Sequence, residues 1–342
     1  MLKRFGAFLL VAAMLLPQSA LSWGMRGHTL ISRLAAQSFP ADMPAFMRTA
    51  AAVDEIATLG PEEDRLKGSG ASWDADNDPG HYLNLGDDGT VDGVSLHALP
   101  ESMKAYALAL EPRHATPWSV GYLPYSILDG FEQLREDFAL WRVYNYGAQH
   151  ASTAAMRAQF AAARRLRETL TLRDLGVWSH FVADGSQPLH VTVHYNGWGN
   201  YPNPHHYTNA PIHSEFESDF VDSYETLQDV RAQMAAEHIT APSALLSQDQ
   251  LDTLVENYLT GTNAAVVPLY QIAGPTGVGF KKYSVQAAIF TAKQLARGAA
   301  ELRDLSDLAW RNSLYVSVGY PYHTVEDILN GKVPLTKALL DG

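Results

Sequence analysis

The chain of 342 residues is expected to fold as a single all-α domain with long irregular loops, and three observations carry that expectation. Apolar residues recur at three- and four-residue spacing over most of its length, with Ala, Leu, Arg, Glu and Gln between them, whereas strand-like alternation is rare and short. No Pro/Gly/Ser linker, repeat or low-complexity block divides the chain, which is long enough to bury one large core. Gly, Pro, Asn and Asp gather in residues 68–93, 194–211 and 271–280, which therefore read as loops.

The first segment lies outside that domain. Residues 1–22 open with Lys3-Arg4, run apolar from Phe5 to Leu16 and exit through Pro17 and Ala20-Leu21-Ser22. This is the pattern of a cleavable bacterial secretion signal, too short in its apolar stretch to stay in a bilayer as a span. Cleavage after Ser22 would release a secreted or periplasmic domain, residues 23–342, beginning with a free amine on Trp23. Helices are then expected over 28–38, 97–110, 123–145, 151–171, 173–185, 212–236, 247–270 and 283–316, each from its apolar periodicity.

Composition limits the chemistry. The formal net charge is −12, and loss of Lys3 and Arg4 with the signal makes the exported protein more acidic still. Such a surface repels polyanions, which argues against duplex binding through a basic patch, so an anionic substrate must be drawn to a local positive centre. The chain has no cysteine, which excludes both a disulfide framework and thiolate metal ligation.

The sharpest chemistry borders the first two loops. In His180-Phe-Val-Ala-Asp184-Gly-Ser-Gln-Pro-Leu-His190, the first His and the Asp stand at i and i+4 on one helix face, and Gly185 to Pro188 ends the helix and swings His190 back toward them. His213-Ser-Glu-Phe-Glu217 repeats the i, i+4 pairing of imidazole with carboxylate. Ligands of this kind without sulfur suit zinc, and sites built from them are open and catalytic more often than structural. Upstream, Ser72-Trp-Asp74-Ala-Asp76-Asn-Asp78-Pro-Gly-His81-Tyr82 resembles a calcium loop, but its glycine falls one place late and Leu85 stands where the closing acid belongs. Asp74 or Asp76 with His81 fits a zinc site better.

The order of a Trp at the mature terminus, a His five residues on at His28, an Asp-then-His-Tyr segment, H-x3-D-x5-H and H-x3-[DE] resembles the trinuclear-zinc family of the S1/P1 nucleases and the zinc-dependent bacterial phospholipases C. The resemblance covers Trp23 to Glu217, and the remaining helices are compatible with the same all-helical fold. It implies three zinc ions. The first is held by Asp74 or Asp76 with His81, His180 and Asp184; the second by His190, His213 and Glu217; the third by the Trp23 amine and carbonyl, His28 and a bridging Asp184. The upstream Asp, 74 or 76, carries a catalytic role as the group that orients hydroxide, because zinc lowers the pKa of bound water to about 7.

The implied enzyme is a hydrolase of phosphodiester bonds, first a single-strand-preferring nuclease with 3′-nucleotidase activity. A phospholipase C acting on phosphatidylcholine-type lipids is the alternative, and a zinc-binding protein without turnover the rival from a different class. The Trp-to-His spacing is nuclease-like, while Glu217 and the short gap before His81 lean toward the phospholipase. Substrate contacts are expected from Tyr82, which follows a ligand, and from Asn196 in the aromatic, amide-rich loop 194–207, where a base could stack and be read at its edge. His194, His205 and His206 exceed the family pattern and are expected not to be ligands. The partners implied are single-stranded nucleic acid or nucleotides, alternatively phospholipid, with no stable protein partner.

Overall fold

The computed structural model describes residues 23–236, 239 and 241–340; the expected signal segment, residues 1–22, lies outside them. The described chain is a helical domain with two minimal hairpins, as the periodicity predicts. In order it runs α1 (Gly24–Gln37), α2 (Ala50–Leu59), α3 (Glu62–Leu66) and α4 (Ala71–Asn77). The hairpin β1 (Thr90–Val91) and β2 (Val94–Ser95) follows, then α5 (Met103–Leu110), α6 (Pro117–Val120), α7 (Leu123–His150) and α8 (Ala154–Asp184). After the long 185–212 segment come a π-helical stretch, Glu215–Phe220, and α9 (Val221–Tyr224), α10 (Leu227–Gln233), α11 (Gln248–Asn263), α12 (Val266–Ala273) and α13 (Val285–Asn312). The chain closes on β3 (Ser317–Val318), β4 (His323–Thr324) and α14 (Val325–Leu329).

Starts of helices follow local chemistry. Thr153, Thr226, Ser247 and Ser284 each accept the backbone N–H three residues on, stabilising α8, α10, α11 and α13 by about 1 kcal/mol apiece. The expected helices 151–171 and 173–185 are one, α8, because Leu172 between them breaks only the pattern and neither Gly nor Pro breaks the backbone. The expected helix 212–236 is instead divided at Glu225, where Thr226 caps a new helix, and 247–270 is divided at Ala264–Ala265. The loop expected over 68–93 contains α4, pinned by the Tyr122 hydroxyl donating to the Asp76 carbonyl.

The long α7–α8 hairpin is the backbone of the domain, with α1, α2 and α13 packed against it. Leu123, Ile127, Phe131, Phe138, Leu175 and Val182 are buried along the hairpin, and Ile31 and Leu34 of α1 meet Leu295 and Ala299 of α13. Among the described residues no helix is long and apolar enough to cross a membrane. The consequence for function is that α8 ends inside the protein, with Val182, Ala183 and Asp184 buried and α1 and α2 packed against the helix.

Candidate metal centre

Three groups of His, Asp and Glu lie close enough to share a metal ion: His28, His180 and Asp184; Asp64, His81 and His180; and His190, His213 and Glu217, with one ligand atom of each member within 4.8 Å of the others. Burial makes this notable. His28, His180, Asp184 and Glu217 have no exposed surface, and isolated imidazoles and carboxylates are not left in a core unless paired or coordinated.

The end of α8 supplies the hub. His180 and Asp184 share a helix face, with Nε2 3.3 Å from Oδ2. The helix is stopped by partners from α11: the Tyr258 hydroxyl donates to the Val182 carbonyl and the Thr262 hydroxyl to the Gly185 carbonyl, each at 2.7 Å. The turn then brings His190 back, its Nδ1 3.4 Å from Asp184 Oδ1, as the Gly185-to-Pro188 spacing predicts. Small residues bring α1 alongside: Ser32 Oγ and Ser179 Oγ are 2.7 Å apart, and the His28 and His180 rings stack at 3.9 Å. Gly60, between α2 and α3, packs so closely that a Cβ there would lie 2.4 Å from Ser32 Oγ, and this lets its carbonyl accept His180 Nδ1–H at 2.9 Å.

His190 and His213 repeat that arrangement, donating Nδ1–H to the carbonyls of His81 (2.8 Å) and Tyr195 (2.7 Å). A carbonyl can only accept, so each of the three rings carries a proton on Nδ1 and turns Nε2 inward. That is the usual outer partner of a metal-ligating His. His190 Nε2 is 3.6 Å and His213 Nε2 2.9 Å from Glu217 Oε2. The segment carrying Glu217 is π-helical rather than α-helical, a local widening common at functional sites.

The upstream acid is a correction. Asp74 and Asp76 belong to none of the three groups: Asp74 accepts a hydrogen bond from Gly68 N at 3.0 Å, and Asp76 is exposed on α4. Their helix packs on the 3-10 turn Asp78–His81. Asp64 takes the place, because α3 lies against α8 and points its carboxylate 3.8 Å from His180 Nε2 and 3.9 Å from His28 Nε2. Lys67, one turn later, pairs with Asp64, its Nζ 2.8 Å from Oδ1, with little exposure of its own. The sequence signal for Asp64 is faint: an acid three residues before a Lys, with a longer gap to His81.

Charge within the cluster is divided. Burial would raise Asp184, but His180 and His190 outweigh it and hold the carboxyl well below its ordinary range. Asp64 is lowered too, His180 and Lys67 overcoming its burial. Burial pushes His81 down to about 4 and lowers His28. His190 rises to about 9 because Asp184 and Glu217 prevail over burial. His81 Nδ1 and His180 Nε2 face each other at 2.9 Å, and Asp184 Oδ1 and Glu217 Oε1 are buried without accepting a hydrogen bond. Inward-facing ring nitrogens beside carboxylate oxygens that lack donors are the donor set a cation would complete, and the residues present fit a metal.

Trp23 stands at the start of α1. Its indole is buried, Nε1 donates to Ser186 Oγ at 2.9 Å and the ring leans on Phe216 at 5.2 Å, which ties it to both ligand-bearing segments. Tyr82 is half-buried after His81, and its hydroxyl is raised by burial and by the neighbouring Tyr195 and Asp78. Gly121, at φ +90°, presses against it: a Cβ there would lie 2.1 Å from the Tyr82 carbonyl oxygen. Asn196 does not face a substrate through its oxygen. Oδ1 accepts from Ile212 N (3.0 Å) and His213 N (3.2 Å), capping the start of the segment that carries two ligands, because a helix start needs acceptors. His194 is buried and satisfied, and His205 and His206 are exposed; none is in a metal group.

No protein-family model matches the chain, and no curated protein matches it either.

Proposed function

We propose that the protein is an exported zinc-dependent phosphodiesterase, first a single-strand-preferring nuclease. The observation that carries the reading is the convergence on Asp184 of His28, His81, His180 and His190, with Glu217 and His213 adjoining. In this reading Asp64, His81, His180 and Asp184 hold one zinc; His190, His213 and Glu217 a second; and His28, Asp184 and the amine and carbonyl of Trp23 a third. Zinc ions bound there would outweigh the three carboxylates, giving an acidic protein a positive centre for phosphate and hydroxide at neutral pH.

The chain's own groups do the rest. Lys67 sets a fixed cation at the edge of the cluster through Asp64, where it can meet a phosphate oxygen. Asp64 and Asp184 stay ionised, the form in which a carboxylate holds a metal ion. Tyr82 and the exposed Tyr195 beside it offer rings to an unstacked base. Replacing Asp74 or Asp76 by Asp64 lengthens the gap before His81, and this removes one of the two features that leaned toward a phospholipase.

The test is a parallel assay of protein beginning at Trp23 on single-stranded DNA, RNA, 3′-nucleotides and phosphatidylcholine, with and without chelator. Chelator-sensitive cleavage of the single-stranded nucleic acids is expected. Hydrolysis of phosphatidylcholine alone would transfer the reading to a phospholipase, and metal binding without any turnover would leave a binding protein.

A further inference from the structure

Gln187 is fully buried beside the His190–His213–Glu217 group. Its Oε1 accepts from Leu189 N at 2.7 Å, and since a backbone N–H can be met only by the oxygen, the amide is oriented with Nε2 toward the ligands. Nε2 lies 2.9 Å from Glu217 Oε2 and 3.3 Å from His213 Nε2. With the His213 ring neutral and its proton on Nδ1, its Nε2 is an acceptor like Glu217 Oε2, and each can take one hydrogen of the amide. The third ligand is tied by the backbone: His190 N donates to the Gln187 carbonyl at 2.9 Å. One residue therefore fixes all three ligands. Asn196 reinforces it by holding the backbone of His213 itself.

Resting on the metal reading above, we propose that Gln187 and Asn196 are positioning residues for this one centre. Gln187 holds the carboxylate and the imidazole in place before an ion enters, then yields His213 Nε2 to the ion while keeping its bond to Glu217. Asn196 sets the height of the His213 ring by capping the turn beneath it. Neither is a ligand, and both act on one group, so their loss is felt by one ion of three.

The experiment strips wild type, Gln187→Met, Asn196→Ala and Asn196→Asp with chelator and titrates each with Co²⁺, counting bound ions by dialysis and following the visible spectrum. Thermal melting in chelator reports whether each variant is folded. Gln187→Met keeps the volume and removes both donors, and one ion is expected to bind about 10–100-fold more weakly while the other two keep their midpoints. Asn196→Ala is expected to shift the same ion by less, and Asn196→Asp, which keeps the acceptor, to restore it. Should Gln187→Met fail to fold, the Ala and Asp variants at 196 carry the decision. Unchanged midpoints for all ions in the folded variants, or a shift shared by all three, would overturn the positioning role. A wild type that takes up no ion would overturn the metal reading itself, a result distinct from either.

Discussion

His190 and His194 stand four residues apart and finish in opposite chemistry. His190, like His180 and His213, donates Nδ1–H to a backbone carbonyl and turns Nε2 toward a buried carboxylate. His194 also bonds a carbonyl through Nδ1, that of Trp198 at 2.8 Å, but its Nε2 meets Asp87, whose side chain is 61% exposed, and its ring stacks on Trp198 at 3.7 Å. Burial and a fixed ring are common to both. What separates them is a second buried carboxylate: Asp184 and Glu217 converge with several imidazoles, while His194 pairs with one acid at the edge of water and spends its ring on packing. A ligand is made by what the inward nitrogen faces, and loop 194–209 is a packed aromatic structure that positions its neighbours.

The largest expected effect follows from Asp184, which touches His81 and His180 through Oδ2 and His28 and His190 through Oδ1. Asp184→Asn should cost at least two ions per chain, and His213→Ala only the ion of its own group; equal metal content in the two variants would remove the bridging role. Next in size, Asp64→Asn should weaken metal binding by one to two orders of magnitude, about the effect of losing or loosening a ligand, with Asp74→Asn and Asp76→Asn unchanged. Dialysis against graded zinc concentrations separates the three.

On the other side of the comparison, His194→Ala should leave metal content intact and lower stability by about 2–3 kcal/mol, through the lost stack and two lost hydrogen bonds. Loss of metal from that variant would mean the loop is part of the site. The smallest effect is on pH. With His190 raised to about 9 by Asp184 and Glu217, an ion entering its group below that pH must displace a proton, and affinity should fall as the pH drops from about 9 toward 7. His81, pushed down to about 4, is already neutral there and adds no such dependence. A flat affinity over this range in buffered titrations would contradict the assignment.

Much of this site is visible in the sequence because its spacing is helical. His180 with Asp184 and His213 with Glu217 are i, i+4 pairs, and the turn through Gly185 and Pro188 announces the return of His190. Asp64 is not visible, for a physical reason: α2 and α3 are short and interrupted by Gly60-Pro61, and Glu62-Glu63-Asp64 reads as the solvated acids of a first helical turn. Only the packing of α3 on α8 turns one of them inward. Asp74 and Asp76 have the more suggestive local sequence and the wrong face. Asn196 misleads similarly, since an amide in an aromatic loop looks like a reader of bases until its oxygen is found on two backbone N–H groups. Fused and divided helices, such as α8 and the break at Glu225, are decided by capping and tertiary contact rather than by periodicity.

Under the proposed function, one buried cluster joined through Asp184 holds several metal ions, and hydrolysis depends on them. Elemental analysis of active protein beginning at Trp23, purified at neutral pH without added metal, tests it most directly. About three zinc ions per chain are expected, with hydrolysis of single-stranded nucleic acid lost on chelation and regained on zinc. Active protein carrying one ion or none would contradict it.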